Sequence, residues 1–191
     1  MLYVKSVATG DYDAPEGYAD ESITCTAVAS TTKTYTLTFP DGNSKGISSY
    51  TDTWSATIDN KTWSIANFNN NNNNWEYIKC GRGAKKGTGV ASIATIATDW
   101  AITEDITKII LTIDKIDKTY VNSIKLTVAS DSNFSNNIQT IEIDDLSIGD
   151  KTCIVPTPTS NCYYKLTFDC KSGASSNGFV QISKIVYTNA E

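Results

Sequence analysis

Residues 163–170 read Tyr163-Tyr-Lys-Leu-Thr-Phe-Asp-Cys170, an alternation that puts Tyr164, Leu166, Phe168 and Cys170 on one face. A period of two marks a strand with one side in a core and the other in water. The same pattern recurs at Ile124, Leu126 and Val128, and at Tyr35, Leu37 and Phe39. Working outward, strand-like runs cover Ser22–Val28, Lys33–Phe39, Trp54–Ile58, Thr62–Phe68, Trp75–Cys80 and Val90–Thr95. They continue through Thr107–Ile113, Ser123–Ala129, Gln139–Ile143, Lys151–Val155, Tyr163–Cys170 and Phe179–Thr188. Short strands separated by Gly, Asn, Asp and Ser spell an all-β, two-layer antiparallel sandwich. Asp59-Asn60 reads as a hairpin turn between two Thr-Trp-Ser arms carrying Trp54 and Trp63, both of them expected in the core. Ser176-Asn177-Gly178 is expected to turn a second hairpin, making Tyr163–Cys170 and Phe179–Thr188 antiparallel neighbours. Asp99–Asp105 is expected to form a single helical turn.

Composition agrees. Thr is the commonest residue and Ile far outnumbers Leu, the usage of pleated, half-buried strands. The 191 residues suit one domain, or one domain plus an arm. With 40% hydrophobic residues the chain is too apolar for disorder. A net charge of −5 and a single arginine, Arg82, argue against nucleic-acid binding. No apolar run is long enough for a membrane helix. The chain has no histidine, which removes Ser-His-Asp triads, Cys-His dyads and His-containing zinc sites together. No pair of carboxylates is nominated by its spacing, so no catalytic residue is assigned and a non-enzyme is expected.

The first twenty residues are polar and aperiodic and read as an extended arm. Leu2, Tyr3, Val4, Tyr12 and Tyr18 are its apolar anchors, suited to docking on a partner. Leu2–Val7 as an edge strand of the chain's own sheet is the alternative. With a candidate boundary at Gly42–Tyr50, residues 1–50 form an arm with a short β segment, and residues 51–191 the sandwich. The N-terminus lacks a charged region followed by an apolar one, so export by a classical signal is not expected. The five cysteines, Cys25, Cys80, Cys153, Cys162 and Cys170, are therefore read as buried free thiols. A Cys153–Cys162 bridge across Pro156-Thr-Pro158 is the alternative.

Three further groups bear on function. The six asparagines Asn69–Asn74 read as a solvated loop, because Asn tolerates a left-handed backbone and satisfies its own polar groups. Trp75, Tyr77 and Trp100 are the aromatic residues that exposed amides would help to hold a sugar. The segment from Cys80 to Gly89 lacks the spacing of a phosphate loop and reads as a basic connection. Its Arg82, Lys85 and Lys86 are the candidate contacts for an acidic partner. Asp144, Asp145 and Asp150 are the metal candidates; three acids supply only part of a calcium shell, and a solvated acidic turn is the preferred reading. No other cofactor is expected.

The C-terminal run from Tyr163 to Tyr187 resembles the closing hairpin of non-catalytic β-sandwich modules in surface and secreted proteins of gut Bacteroidetes. Trp63-Ser-Ile-Ala-Asn, Trp75-Glu-Tyr-Ile-Lys-Cys-Gly-Arg and Val121-Asn-Ser-Ile-Lys-Leu-Thr-Val-Ala-Ser-Asp131 carry the same likeness, which covers residues 51–188. It implies a jelly-roll or galactose-binding-like sandwich, with ligands held by loops at one end. Combined with a start at Met1 and the polar arm, it leads to the expectation of an auxiliary capsid or head-fibre protein resembling those of crAss-like bacteriophages. Such a protein would be made in the host cytoplasm, sit on the virion surface against the major capsid protein, and meet host or mucosal glycans. A stand-alone carbohydrate-binding module at a bacterial cell surface is the alternative.

Overall fold

Aspartate and asparagine at the hairpin tip, Asp59 and Asn60, take positive φ angles of 50° and 59°, the turn that matches the twist of two paired strands. The turn joins β2 (Thr53–Ile58) to β3 (Lys61–Ala66), with Trp54 opposite Ile65 and Ala56 opposite Trp63. Both tryptophans are buried in the core. The computed structural model describes residues 31–42, 45–85, 88–173 and 177–190. Leu2, Tyr3, Val4, Tyr12, Tyr18, Cys25, the run Ser22–Val28, Lys86 and Ser176 lie outside the described residues.

The remaining strands are β1 (Thr34–Thr38), β4 (Phe68–Asn69), β5 (Ile78–Cys80), β6 (Arg82–Lys85), β7 (Thr88–Val90) and β8 (Ser92–Thr98). After them come β9 (Lys108–Ile116), β10 (Val121–Ala129), β11 (Asn137–Glu142), β12 (Gly149–Ile154), β13 (Tyr163–Cys170) and β14 (Val180–Thr188). One sheet runs β12-β9-β14-β5-β4, with β1 also on β14; the other runs β11-β10-β13-β8-β3-β2. All pairings are antiparallel, and the two sheets pack face to face over one apolar core. Taking β5 and β8–β14 as eight successive strands, the sheets hold them in the orders first-eighth-third-sixth and second-seventh-fourth-fifth. That is the strand order of a jelly roll. Strand β1 and the buried Ile47, both N-terminal to residue 51, belong to this same core.

Three expectations change. Tyr163–Cys170 and Phe179–Thr188 are not neighbours: β13 pairs with β8 and β10, and β14 with β1, β5 and β9 in the other sheet. Alternation fixes which face of a strand is buried, but it is silent on which sheet supplies the partner. The run Thr62–Phe68 breaks at Asn67, whose φ of 64° ends β3 and sends Phe68 into the opposite sheet. Asp99–Asp105 is not helical; Ile102 is buried and bridges to Cys162 through backbone hydrogen bonds in both directions. The short 3-10 turn lies instead at Lys118–Tyr120, capped by the Asp117 side chain. The basic segment after Cys80 forms its own two-stranded hairpin, β6 with β7. Among the described residues no helix is long and apolar enough to cross a membrane.

Candidate functional site

The asparagine tract leads from β4 into the turn before β5. Asn71, Asn72 and Asn73 all take left-handed backbone conformations, φ 52°, 55° and 64°. Asparagine does this at less cost than other residues with a side chain, because its short amide bonds locally. The amides also bind the segment before them. Asn70 Oδ1 accepts from the Ile47 N–H at 2.7 Å, and Asn70 Nδ2 donates to the Lys45 carbonyl at 3.0 Å. Asn69 Nδ2 donates to the Ser48 carbonyl at 2.9 Å. Within the turn, the Asn71 N–H donates to Asn69 Oδ1 and the Asn73 N–H to Asn70 Oδ1. Gly46 admits the close approach, since a Cβ there would stand 3.0 Å from Asn72 Cα. The tract is an ordered turn, with Asn72 and Asn74 exposed.

Trp75 and Tyr77 follow it and stack on each other, ring centroids 5.3 Å apart and 21° from parallel. Both are half-buried. Lys79 Nζ lies 3.7 Å from the Trp75 ring centroid, a cation–π contact. Burial, and then the charge of Lys115, lower the pKa of Lys79.

The structure does not bring Trp100 to this pair. Trp100 meets Trp63 edge to face at 4.8 Å and Tyr35 at 6.0 Å. Lys61 Nζ stands 5.5 Å from its ring. Tyr35 faces Tyr187 across the β1–β14 pair, whereas Lys79 faces Gln181. Six residues of β14 therefore separate the two clusters, roughly 20 Å at 3.3 Å per residue. The Tyr35 hydroxyl donates to Glu104 Oε2 at 2.7 Å. Burial and then this bond push the Tyr35 hydroxyl up to about 12, and the same bond lowers the carboxylate of Glu104.

Asp144, Asp145 and Asp150 line a groove of about 430 Å³ between the edge strands β11 and β12. Its ammonium, Lys151, is 8% exposed and donates to Asp145 at 2.8 Å and to Ser147 Oγ at 2.6 Å. Asp150 accepts from the Thr112 hydroxyl at 2.6 Å. Two of the three acids thus have protein partners. Among the described residues no group of three or more Cys, Asp or Glu side chains is arranged to hold a metal. Arg82 lines a separate groove with Tyr50, Val90 and the exposed Ile93. Cys80, Cys153, Cys162 and Cys170 are all buried free thiols.

Lys79, Lys61 and Glu104 do not emerge from a linear reading, because their contacts depend on side chains reaching across strands. Lys151 carries a usable signal: it shares the inward parity of Cys153 and Val155. No family model matches the chain, and no curated protein matches it.

Proposed function

We propose that the chain is a non-enzymatic binding module, a jelly roll that holds saccharides at the asparagine turn with Trp75 and Tyr77 as its ring contacts. The observation that carries this reading is the order of the turn: its amides hold a left-handed backbone course by hydrogen bonds within the turn and to residues 45–47. A preordered loop loses little conformational freedom on binding. The C–H faces of a pyranose pack against aromatic rings, and the exposed amides of Asn72 and Asn74 match sugar hydroxyls. Lys79 already stands over Trp75, so the sugar is assigned to the Tyr77 ring and the rim of Trp75. The absence of histidine supports the non-enzymatic part of the reading.

The setting we propose is the surface of a crAss-like bacteriophage, where the chain would decorate the capsid as an auxiliary or head-fibre protein on the major capsid protein. Its support is the resemblance across residues 51–188 and the use of jelly rolls in both viral coats and lectins. The alternative setting is the surface of a gut bacterium, as a carbohydrate-binding module.

A glycan array probed with the wild-type chain, Y77A and W75A tests the sugar site. At least one glycan is expected to be retained, with Y77A weakening it by more than about tenfold, the loss of one good ring contact. No retention on the array, or retention unchanged in both variants, overturns the sugar site. A mass-spectrometric inventory of purified particles tests the setting separately; absence of the chain from particles overturns capsid decoration and leaves the sugar site standing.

A further inference from the structure

Phe68 and Phe168 meet edge to face between the two sheets, ring centroids 5.2 Å apart. Phe68 lies directly across the β4–β5 pair from Cys80. Phe168 precedes Cys170 by two residues on the same buried face of β13. The phenylalanine contact therefore brings Cys80 of one sheet and Cys170 of the other into the same region of the space between them. There both residues are fully buried, with their thiols close enough to interact electrostatically. The other described cysteines are engaged elsewhere. The Cys162 thiol donates to the Ser160 carbonyl at 3.4 Å, and Cys153 sits on the edge strand β12, three strand positions from β5.

We propose that Cys80 and Cys170 are a disulfide-forming pair, a cross-sheet bridge that closes when the chain folds in the presence of a small-molecule disulfide such as oxidised glutathione. The Cys170 thiolate attacks one glutathione sulfur and expels a glutathione thiolate. The Cys80 thiolate then attacks the Cys170 sulfur and expels the second. One S–S bond breaks and one forms, the two electrons pass from the cysteines to glutathione, and the two thiol protons end on the two released glutathiones. Either cysteine can make the first attack, with the same balance of bonds and electrons. Because neither sulfur is exposed, the exchange belongs to folding, before the sheets close over the pair.

In a reducing cytosol the sheets are held together by packing alone. In oxidising surroundings the same two residues tie them covalently, closing a loop of about 90 residues and narrowing the unfolded ensemble. Refolding the full chain from denaturant in a mixture of oxidised and reduced glutathione tests this. Free thiols are then alkylated and the protein digested without reductant. The expected product joins the Cys80 peptide to the Cys170 peptide, and its Tm lies roughly 10 °C above that of the dithiothreitol-treated sample. Alkylation of both residues, or a bridge from either to a different cysteine, overturns the proposal. A bridged form that melts below the reduced one does the same. C80A, refolded in parallel, is expected to lose the oxidative gain in Tm; a gain that survives C80A also overturns it.

Discussion

Asn70 holds the asparagine turn together more than any of its five identical neighbours. It is 3% exposed and uses both ends of its amide, accepting from the N–H groups of Ile47 and Asn73 and donating to the Lys45 carbonyl. Alanine there strands backbone groups away from water, and an unsatisfied buried group costs about 1–3 kcal/mol. N70A is accordingly expected to lower stability by about 2–4 kcal/mol in urea denaturation. Asn74 is exposed and makes a single amide contact, to the Asn71 carbonyl at 2.8 Å. N74A is expected to cost less than about 1 kcal/mol. Equal effects of the two substitutions would contradict the role assigned to Asn70. Six like letters in a row conceal this division of work, since it depends on which amides face residues 45–48. The left-handed backbone itself was legible, because it is a property of asparagine.

The connection between β13 and β14 shows how an element depends on contacts its own letters do not record. Phe179 enters β14 stacked on Tyr120, centroids 4.8 Å apart, and its backbone bonds to Cys80 and Asp117. The ring lies against two glycines. A Cβ on Gly81 would stand 2.6 Å from Phe179 Cδ2, and one on Gly173 would also run into the ring. Gly81 in addition has φ +96°, a conformation that residues with a Cβ rarely adopt. G81A is therefore expected to destabilise by about 3 kcal/mol or more, steric and backbone strain acting together. Adding F179L is expected to recover part of the loss in thermal unfolding, because it relieves the clash and leaves φ unchanged. G81A at wild-type stability would show that the ring has room to move. Strand periodicity revealed the buried faces of β10 and β13 and the turn at Asp59-Asn60. It missed the sheet switch at Asn67 and the separation of β13 from β14, since an inward-facing residue looks the same in either sheet. The sheet edges were hidden for the same reason. Lys151 points inward on the edge strand β12, a device that discourages a further strand from pairing there. Beside it, Gln139 of β11 exchanges hydrogen bonds with the Thr157 backbone, Nε2 to the carbonyl at 2.7 Å and N–H to Oε1 at 3.3 Å.

For the molecule as a whole, the lack of histidine makes the pH dependence of folding an unusually direct test of the charge arrangement. Asp131 is lowered mainly by the backbone N–H groups of Asn136 and Ser135, Asp145 by its bond from Lys151, and Glu104 by the Tyr35 hydroxyl. A carboxylate lowered on folding binds fewer protons in the folded than in the unfolded chain between its two pKa values. Its contribution is complete above the unfolded value near 4 and is lost as pH falls through the folded one. At the alkaline end the signs reverse. Tyr35 and Tyr50 are pushed up to about 12 and Cys153 to about 11, chiefly by burial, while Tyr164 and Tyr187 are raised further still. These groups keep their protons in the folded state where the unfolded chain has released them, so stability falls as pH climbs from their unfolded values toward the folded ones. Between the two flanks no side chain has an ordinary pKa near neutrality, because histidine is the residue that supplies one. The urea midpoint is therefore expected to stay level from about pH 5.5 to 7.5, to drop below about pH 4, and to drop again from about pH 8.5 upward, as the unfolded thiols and then the tyrosines ionise. D131N, which leaves a neutral amide among the same N–H donors, is expected to flatten part of the acid limb and leave the alkaline limb unchanged. A midpoint that slopes between pH 6 and 7.5 would require a strongly shifted carboxyl or thiol, and would contradict the assignment of the acid limb to Asp131, Asp145 and Glu104.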